Sequence, residues 1–280
     1  MRLTLAFGKL VTFPEPLATI ATARCGVKTL DRPHSSRYRS DAVRIHAVSH
    51  IAALEGVHLA DWSAVVIDVL RASSTISQAI ASGAEGVFPV PTVEAAFAAK
   101  QAGRTTAPLL GGEREGLPPS GFDLGNSPGD YTSEVVGGRR IIFTTTNGTR
   151  AIAATKSARG TVIGALLNLP AVVDYLLDQG DDILLVAVGR GGRPVLDDTV
   201  TAGMYVERLA EAVPAIELTA EAEEARSVYA PYRGRVLEAF RASDSGKALT
   251  AIGLGADLER CATVGVLDAV PRQRYGVITA

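Results

Sequence analysis

Short apolar runs alternate with helix-spaced segments along most of this chain. The run Ala64–Leu70 is rich in Val and Ile and is interrupted only by Asp68, which is typical of a strand buried on both faces of a parallel sheet. The residues after it have apolar positions at helical spacing and end at Gly83, a residue that suits the position after a helix. This stretch therefore predicts a strand, a turn and a helix.

The same order recurs over most of the chain after residue 42. Strands are predicted at 43–49, 86–90, 107–110, 141–146, 161–165 and 183–188, and helices at 92–101, 147–155, 168–177, 196–209 and within 219–254. This alternation predicts an α/β fold in three layers, with a mostly parallel sheet flanked by helices, and it leaves open two similar halves. The C-terminal tail has no informative pattern.

Residues 1–42 differ from the rest of the chain. Up to residue 44 the sequence has eight Lys and Arg against three acidic residues, is rich in Ser and Thr, and shows no sustained period. It lacks the apolar region and cleavage site of a secretory signal. We expect an N-terminal extension that is poorly ordered or an over-long start, followed by one α/β domain over 43–280.

Composition excludes several classes of function. The net charge is −2 and only 5% of the residues are aromatic, so a nucleic-acid surface is not expected. No uninterrupted apolar stretch is long enough to span a membrane. Two cysteines, Cys25 and Cys261, give neither a disulfide framework nor a zinc spacing, which favours a reduced, cytoplasmic setting. The sequence leaves open whether the protein is a homo-oligomer.

Two of the predicted strand-to-helix turns combine hydroxyl groups with an arginine. The first contains Arg71, and the second contains Asn147 and Arg150. Unpaired N–H groups at a helix start, with hydroxyls and an arginine nearby, bind anions well, although a single such turn is more often an ordinary helix cap. Two of them beside Asp68 indicate two walls of one anion pocket. The candidate substrate-binding residues here are Ser73, Ser74, Thr75, Thr145, Thr146, Gly148 and Thr149.

A long loop rich in Gly and Pro, residues 111–130, lies between the two turns. A loop of this length inside a domain is usually functional or disordered, and its short apolar anchors indicate that it is packed. Carboxylates beside an anion pocket suit a hard cation such as Mg²⁺, with Asp68, Glu113 and Asp123 as the candidate ligands. Asn126 and Ser127 of the same loop are further candidates for binding the substrate.

Familiar phosphate-binding motifs are missing. There is no GxxxxGK[ST], and GRGGRP at 189–194 has Pro194 where the last glycine of GxGxxG would stand. Neither cysteine is followed by an arginine six residues later, and the DxDxT pattern fails at Leu70.

Asp197 and Asp198 lie in the first turn of a predicted helix. The commoner explanation for acids at this position is that they suit the helix dipole.

Several segments resemble those of the 2-phosphosulfolactate phosphatase family. They are VVIDVLRASSTI at 65–76, LLGGEREG at 109–116, GFDLGNSP at 121–128 and FTTTNGTRAI at 143–152, and GRGGRPVLDD and GLGADLERCA extend the resemblance to about residues 43–271. The resemblance implies a Mg²⁺-dependent phosphohydrolase that converts 2-phospho-3-sulfolactate to sulfolactate and phosphate, a step of coenzyme M biosynthesis. This chain departs from the family pattern at Ser245, where family members often have a histidine before the glycine.

The resemblance also implies which residues act. It places the catalytic residues at Asp68, Arg71, Arg114, Asn147 and Arg150, with Asp68 as metal ligand first and phosphoryl acceptor second. The phosphate, carboxylate and sulfonate of the substrate carry nearly four negative charges, so further cations are needed. Arg114, Arg190 and Arg193 are assigned to the carboxylate and the sulfonate. A protein that only binds a phosphorylated ligand, and a phosphotransferase with the same pocket, are the alternatives.

Overall fold

Strands and helices alternate along the described residues, which are 42–102, 107–213 and 215–280 of this computed structural model. The strands of this part are β1 (Val43–Val48), β2 (Ser63–Ile67), β3 (Gly86–Pro89), β4 (Leu109–Gly112), β5 (Arg140–Thr144), β6 (Gly160–Ile163), β7 (Ile183–Ala187), β8 (Ile216–Leu218), β9 (Arg272–Arg274) and β10 (Val277–Thr279). The helices are α1 (Ala72–Ala81), α2 (Val93–Ala102), α3 (Ser133–Val136), α4 (Gly148–Ala154), α5 (Leu169–Gln179), α6 (Leu196–Ala212), α7 (Ala220–Tyr229), α8 (Val236–Ala242), α9 (Asp244–Ala251) and α10 (Ala256–Cys261).

The described strands form one sheet in the order β4–β5–β3–β10–β9–β6–β2–β7–β1–β8. Strands β4, β5 and β3 are parallel to one another, and so are β6, β2, β7, β1 and β8. Three antiparallel pairings, β3 with β10, β10 with β9 and β9 with β6, separate these groups, so the two groups run in opposite directions. The predicted α/β fold, with a mostly parallel sheet flanked by helices, is confirmed.

The hairpin of β9 and β10 joins the two groups, and the sequence pattern does not reveal it. Each strand has only three residues, too few to show a period. Tyr275 and Gly276 connect them with φ of 51° and 81°, the left-handed pair that a tight hairpin turn requires. The C-terminal tail is therefore the centre of the sheet, although no pattern in it predicts a strand.

The central parallel strands explain the apolar runs in the sequence. All five residues of β2 and all five of β7 are buried, as expected for strands covered on both faces. The predicted strand over 64–70 ends earlier, at Ile67, because the Asp68 carbonyl accepts the Ser73 N–H at 2.8 Å and closes a turn. The predicted strand over 107–110 lies two residues later, since Gly111 and Gly112 pair with β5.

Helices α1 and α4 pack between the two parallel groups. The core around them combines Val66 of β2 with Phe143 of β5, and it includes Ile76 of α1 and Ile152 of α4. Helix α1 contacts both β3 and β6, and α4 contacts both β2 and β5. This packing brings the turn before α1 close to the turn before α4, although the strands that lead into them belong to groups of opposite direction.

The predicted N-terminal extension, residues 1–42, lies outside the described residues except for Ala42. The domain boundary at residue 42 stays a prediction. Among the described helices, none combines the length and the apolar character needed to cross a membrane.

Candidate active site

The two turns line one cavity of about 210 Å³, together with the start of α6 and part of α9. A Cβ atom built on Gly148 would lie 2.8 Å from Oδ2 of Asp68 and 2.7 Å from Cβ of Ala72, so a larger residue does not fit without movement. The predicted site residues in the cavity wall are Asp68, Arg71, Glu113, Asn126, Thr146, Asn147 and Arg190. The structure thus brings together residues from both turns, the long loop and the GRGGRP segment.

The hydroxyl groups that follow the first turn form hydrogen bonds with backbone groups of the protein. Ser73 Oγ accepts the Asp68 N–H at 2.9 Å and donates to the Val66 carbonyl at 3.1 Å. Ser74 donates to the Val69 carbonyl, and Thr75 donates to the Asn126 carbonyl, both at 2.8 Å. All three side chains are buried and lie outside the cavity wall. Their hydrogen bonds shape the turn and fasten the long loop to α1.

The anion at the start of α1 is Asp68 itself. Its carboxylate accepts a hydrogen bond from the Ala72 backbone N–H, which belongs to the first residue of the helix. This bond favours the charged form of the carboxyl group and offsets part of its burial. The first predicted anion site therefore holds a carboxylate of the protein that faces the cavity.

The second turn exposes two residues to the cavity and buries two threonines. Thr149 donates its hydroxyl proton to the Thr145 carbonyl at 2.9 Å, and Thr145 Oγ1 accepts the Thr149 N–H at 3.2 Å. The Thr146 N–H donates to Oε1 of Glu113 at 2.7 Å. The Asn147 side chain makes no capping hydrogen bond at the start of α4, and it lines the cavity. Thr145 and Thr149 hold the turn, while Thr146 and Asn147 form the wall.

Most of the predicted arginines do not face the cavity. Arg114 donates to the Glu113 carbonyl at 2.7 Å and to Thr144 Oγ1 at 2.9 Å, and it lies outside the wall. Arg150 and Arg193 are exposed and also lie outside it. Arg71 lines the cavity but is committed to a buried ion pair with Asp257 at 2.6 Å. Arg190 lines the cavity and, within the described residues, its guanidinium has no protein partner.

Asp197 and Asp198, which the sequence pattern attributes to the helix dipole, belong to this wall. Asp198 Oδ1 accepts the Val69 N–H at 2.9 Å and its Oδ2 accepts the Gly189 N–H at 3.0 Å, which ties the first turn to the end of β7. Asp197 is 1% exposed, and its buried Oδ1 has no hydrogen-bond partner. Their position in the sequence could have indicated a place in the site, because they follow a glycine-rich segment at the end of a buried strand. Ser245 also lines the cavity.

Burial raises the pKa values of three carboxyl groups of the wall, and nearby acids raise them further. Burial, with the nearby Glu113 and Asp197 carboxylates, raises the pKa of Asp68 to about 7. Burial also raises the pKa of Asp197 to about 6. The pKa of Asp198 lies well above its usual range because of burial and its acidic neighbours Asp197 and Asp68. Burial thus makes these three carboxyl groups harder to ionise than they would be in water.

Asp123 lies apart from this group of acids. Its carboxylate accepts the Leu110 N–H at 2.7 Å and pairs with Lys100 at 2.8 Å, and it is absent from the cavity wall. Of the predicted metal ligands, the structure therefore brings Asp68 and Glu113 to one cavity and leaves Asp123 at the base of the long loop.

The chemistry of the wall fits a hard divalent cation. Five carboxylates line the cavity against two arginines; the acids are Asp68, Glu113, Glu115, Asp197 and Asp198. Two buried oxygens, Asn126 Oδ1 and Asp197 Oδ1, have no hydrogen-bond partner. Hard cations bind such oxygens. Among the described residues no set of three or more His, Cys, Asp or Glu is already arranged around one metal position. The fit therefore rests on the donor types and their shared cavity.

An α/β enzyme that acts on a small molecule is the class of protein that this fold and cavity fit. A family model described as 2-phosphosulpholactate phosphatase matches residues 50–276. The chain therefore belongs to the 2-phosphosulfolactate phosphatase family, a family of phosphoric monoester hydrolases, as the sequence motifs predicted.

Curated relatives agree with this assignment, and each is named a probable 2-phosphosulfolactate phosphatase. The protein of Caldanaerobacter subterraneus is 38% identical over 221 residues, which cover 79% of this chain and 91% of the relative. That of Thermotoga petrophila is 40% identical over 215 residues, covering 77% and 90%. That of Synechocystis sp. is 39% identical over 222 residues, covering 78% and 91%.

Gly148→Ala tests the close approach of the two turns. The new methyl group would collide with Asp68 and Ala72, so we expect the free energy of unfolding to fall by about 1–3 kcal/mol and the activity to fall with it. The control is Gly129→Ala, because a Cβ at Gly129 meets nothing within 4 Å. Urea unfolding of both variants measures the difference. Equal stability of the two variants would contradict the contact.

The raised pKa of Asp68 predicts a pH dependence of stability. Because its folded pKa of about 7 exceeds the ordinary 3.8, the group stabilises the fold fully below pH 4, and this contribution is lost as the pH rises towards 7. In chelating buffer, Asp68→Asn should therefore gain stability relative to the parent protein between pH 4 and 8, as urea unfolding would show.

Asp123→Asn is the matched control for this pH dependence. Although burial opposes the shift, hydrogen bonds from the Leu110 N–H and Lys100 lower the pKa of Asp123. A lowered pKa stabilises the fold above the ordinary value, so this variant should lose stability relative to the parent as the pH rises through about 4. The same trend in both variants would mean that the two carboxyl groups do not differ as described.

Proposed function

We propose that this protein is a Mg²⁺-dependent phosphohydrolase that removes the phosphate from 2-phospho-3-sulfolactate, or from a related phosphorylated 2-hydroxy acid. The observation that carries the proposal is the match to the phosphatase family over residues 50–276, which includes every residue of the cavity wall. Sulfolactate and inorganic phosphate would be the products of the favoured substrate.

The acidic cavity supports a requirement for the cation. A substrate with nearly four negative charges is repelled by the ionised carboxylates of this wall unless a cation compensates their charge. Asp68 and Asp197 would hold Mg²⁺, with Glu113 and Asn126 as further oxygen donors. The bound ion would neutralise charge on the phosphoryl group and orient the attacking group. Asp68, held against the start of α1, stays a metal ligand first and a phosphoryl acceptor second.

Arg190 is the residue we assign to the carboxylate or the sulfonate of the substrate. It lines the cavity on the turn after β7, and the backbone of Arg190 pairs with that of Arg193 at 2.9 and 3.1 Å, which fixes the turn. A guanidinium without a partner in the protein can make a bidentate contact with an oxyanion. Asn147 lies in the same wall and offers an amide to the phosphoryl oxygens.

Metal removal is the first test. We expect EDTA to abolish phosphate release from 2-phospho-3-sulfolactate and added Mg²⁺ to restore it, because the carboxylates then lose and regain their compensating charge. Thermal unfolding with and without Mg²⁺ gives a second readout, since an ion that binds only the folded state raises the midpoint. Full turnover in metal-free, chelated buffer would refute the cation requirement.

A substrate panel tests the function itself and the role of Arg190. The panel compares 2-phospho-3-sulfolactate, a phosphorylated 2-hydroxy acid without a sulfonate and the phosphate ester of a simple alcohol. Arg190→Gln should lower kcat/KM for the first compound about ten- to a hundredfold, the value of a charge-assisted contact, and should hardly affect the alcohol ester. Arg193→Gln, from the same turn but outside the wall, is the matched control.

The panel also separates the alternatives. Binding of these compounds without phosphate release would support a binding protein, and release that depends on an added acceptor would support a phosphotransferase. Equal kcat/KM for all three compounds would contradict the assignment of Arg190.

A further inference from the structure

Arg71 joins three segments of the chain that are distant in sequence. Its side chain is 2% exposed, and its Nη1 donates to Asp257 Oδ2 at 2.6 Å and to Ser127 Oγ at 3.0 Å. Its Nη2 donates to the Gly116 carbonyl at 2.6 Å. The guanidinium therefore connects the turn before α1 with both parts of the long loop and with α10.

Asp257 is the acid that compensates this buried charge. It lies in the first turn of α10, is 12% exposed in its side chain and is outside the cavity wall. Ser127 donates its hydroxyl proton to the same oxygen, Oδ2, at 2.8 Å. A buried ion pair of this kind is held by its hydrogen bonds, and removal of one partner leaves an uncompensated charge.

The hydrogen bonds continue from Arg71 to an acid of the cavity. Gly116, whose carbonyl accepts from Arg71, donates its N–H to Oε2 of Glu113 at 2.9 Å. The other oxygen of Glu113 accepts the Thr146 N–H at 2.7 Å. One connected series of hydrogen bonds thus runs from α10 through the first turn and the loop to the second turn.

We propose that Asp257 is a positioning residue for the active site, which acts through Arg71 and Gly116 on the carboxylate of Glu113. Asp257 does not touch the cavity, so it acts only by fixing the Arg71 guanidinium. The inference rests on the proposed function, in which Glu113 is one of the oxygen donors of the site.

The charges around Arg71 explain why its partner matters for function as well as for stability. The positive charge of Arg71 favours the ionised form of Asp68, so the two groups already interact electrostatically. Without Asp257, the guanidinium would be drawn towards the cavity carboxylates, the groups that we assign to the cation. The Gly116 carbonyl would lose its donor, and both hydrogen bonds that hold Glu113, from the Gly116 and Thr146 N–H groups, would weaken.

The test compares two acids of the same helix. Asp257→Asn removes the charge of the buried pair, and Glu259→Gln removes that of the exposed pair with Arg241. We expect Asp257→Asn to lower kcat about ten- to a hundredfold, the loss typical of groups that orient active-site ligands, with little change in KM. Glu259→Gln should keep the parent kcat. Asp257→Glu, which retains the charge, should recover part of the loss.

Hydrogen exchange gives a readout that does not depend on activity. In Asp257→Asn, the backbone amides of Gly116 and Thr146 should exchange at least tenfold faster than in the parent protein, because both donate to Glu113. Amides of β7 should keep their protection. If Asp257→Asn does not fold, Ser127→Ala tests the same series more gently, since it removes one donor to Asp257.

A double variant shows whether Asp257 acts through Glu113. If it does, Asp257→Asn should lower kcat much less in a Glu113→Gln background than in the parent. Equal losses in both backgrounds, parent-like kcat in Asp257→Asn, or unchanged exchange at Gly116 and Thr146 would overturn the inference. A parent protein that releases no phosphate would refute the proposed function, while the exchange experiment would still decide the inference.

Discussion

Repulsion among buried carboxylates is the interaction on which the site depends. Asp68, Asp197 and Asp198 lie in one cavity, and each has a pKa raised by burial and by its acidic neighbours. Such a cluster is unfavourable unless hydrogen bonds or a cation compensate it. Asp198 is compensated by two backbone N–H groups and Asp68 by the start of α1, whereas one oxygen of Asp197 has no partner. The remaining charge is the physical basis for the proposed Mg²⁺.

The two parallel groups of strands set the place of this cluster. Helices α1 and α4 lie between the groups and share one core, so the turns in front of them meet. Gly148 permits the closest approach, since any side chain there would contact Asp68. The site is therefore built at the junction of the two groups and depends on the packing of both helices.

Arginines in this protein divide into two kinds of role. Arg71 and Arg114 donate their hydrogen bonds to other groups of the protein, and these bonds hold the long loop against the two turns. Arg190 lies on a turn that faces the cavity and keeps its guanidinium available to a ligand. Sequence motifs alone do not separate these roles, because the motif segments contain arginines of both kinds. The division follows from whether the guanidinium hydrogen-bonds to the protein: Arg71 and Arg114 do, whereas the Arg190 guanidinium has no partner among the described residues.

The sequence by itself determined the α/β class, most of the strands and helices, and the family. Buried parallel strands need continuous apolar runs, and turns need particular residues. Both therefore leave local patterns in the sequence, and these are clear in the part of the chain from β2 to α6. The sequence also offered candidate site residues, and the fold brings seven of them to one cavity: Asp68, Arg71, Glu113, Asn126, Thr146, Asn147 and Arg190. Only the tertiary structure decided that the C-terminal hairpin joins the sheet, that Asp197 and Asp198 face the cavity and that Asp123 does not. It also decided that Arg71 is neutralised by Asp257, 186 residues later in the chain. These features depend on contacts between distant segments, and the energy of such a contact is set by burial and distance, which no local pattern records.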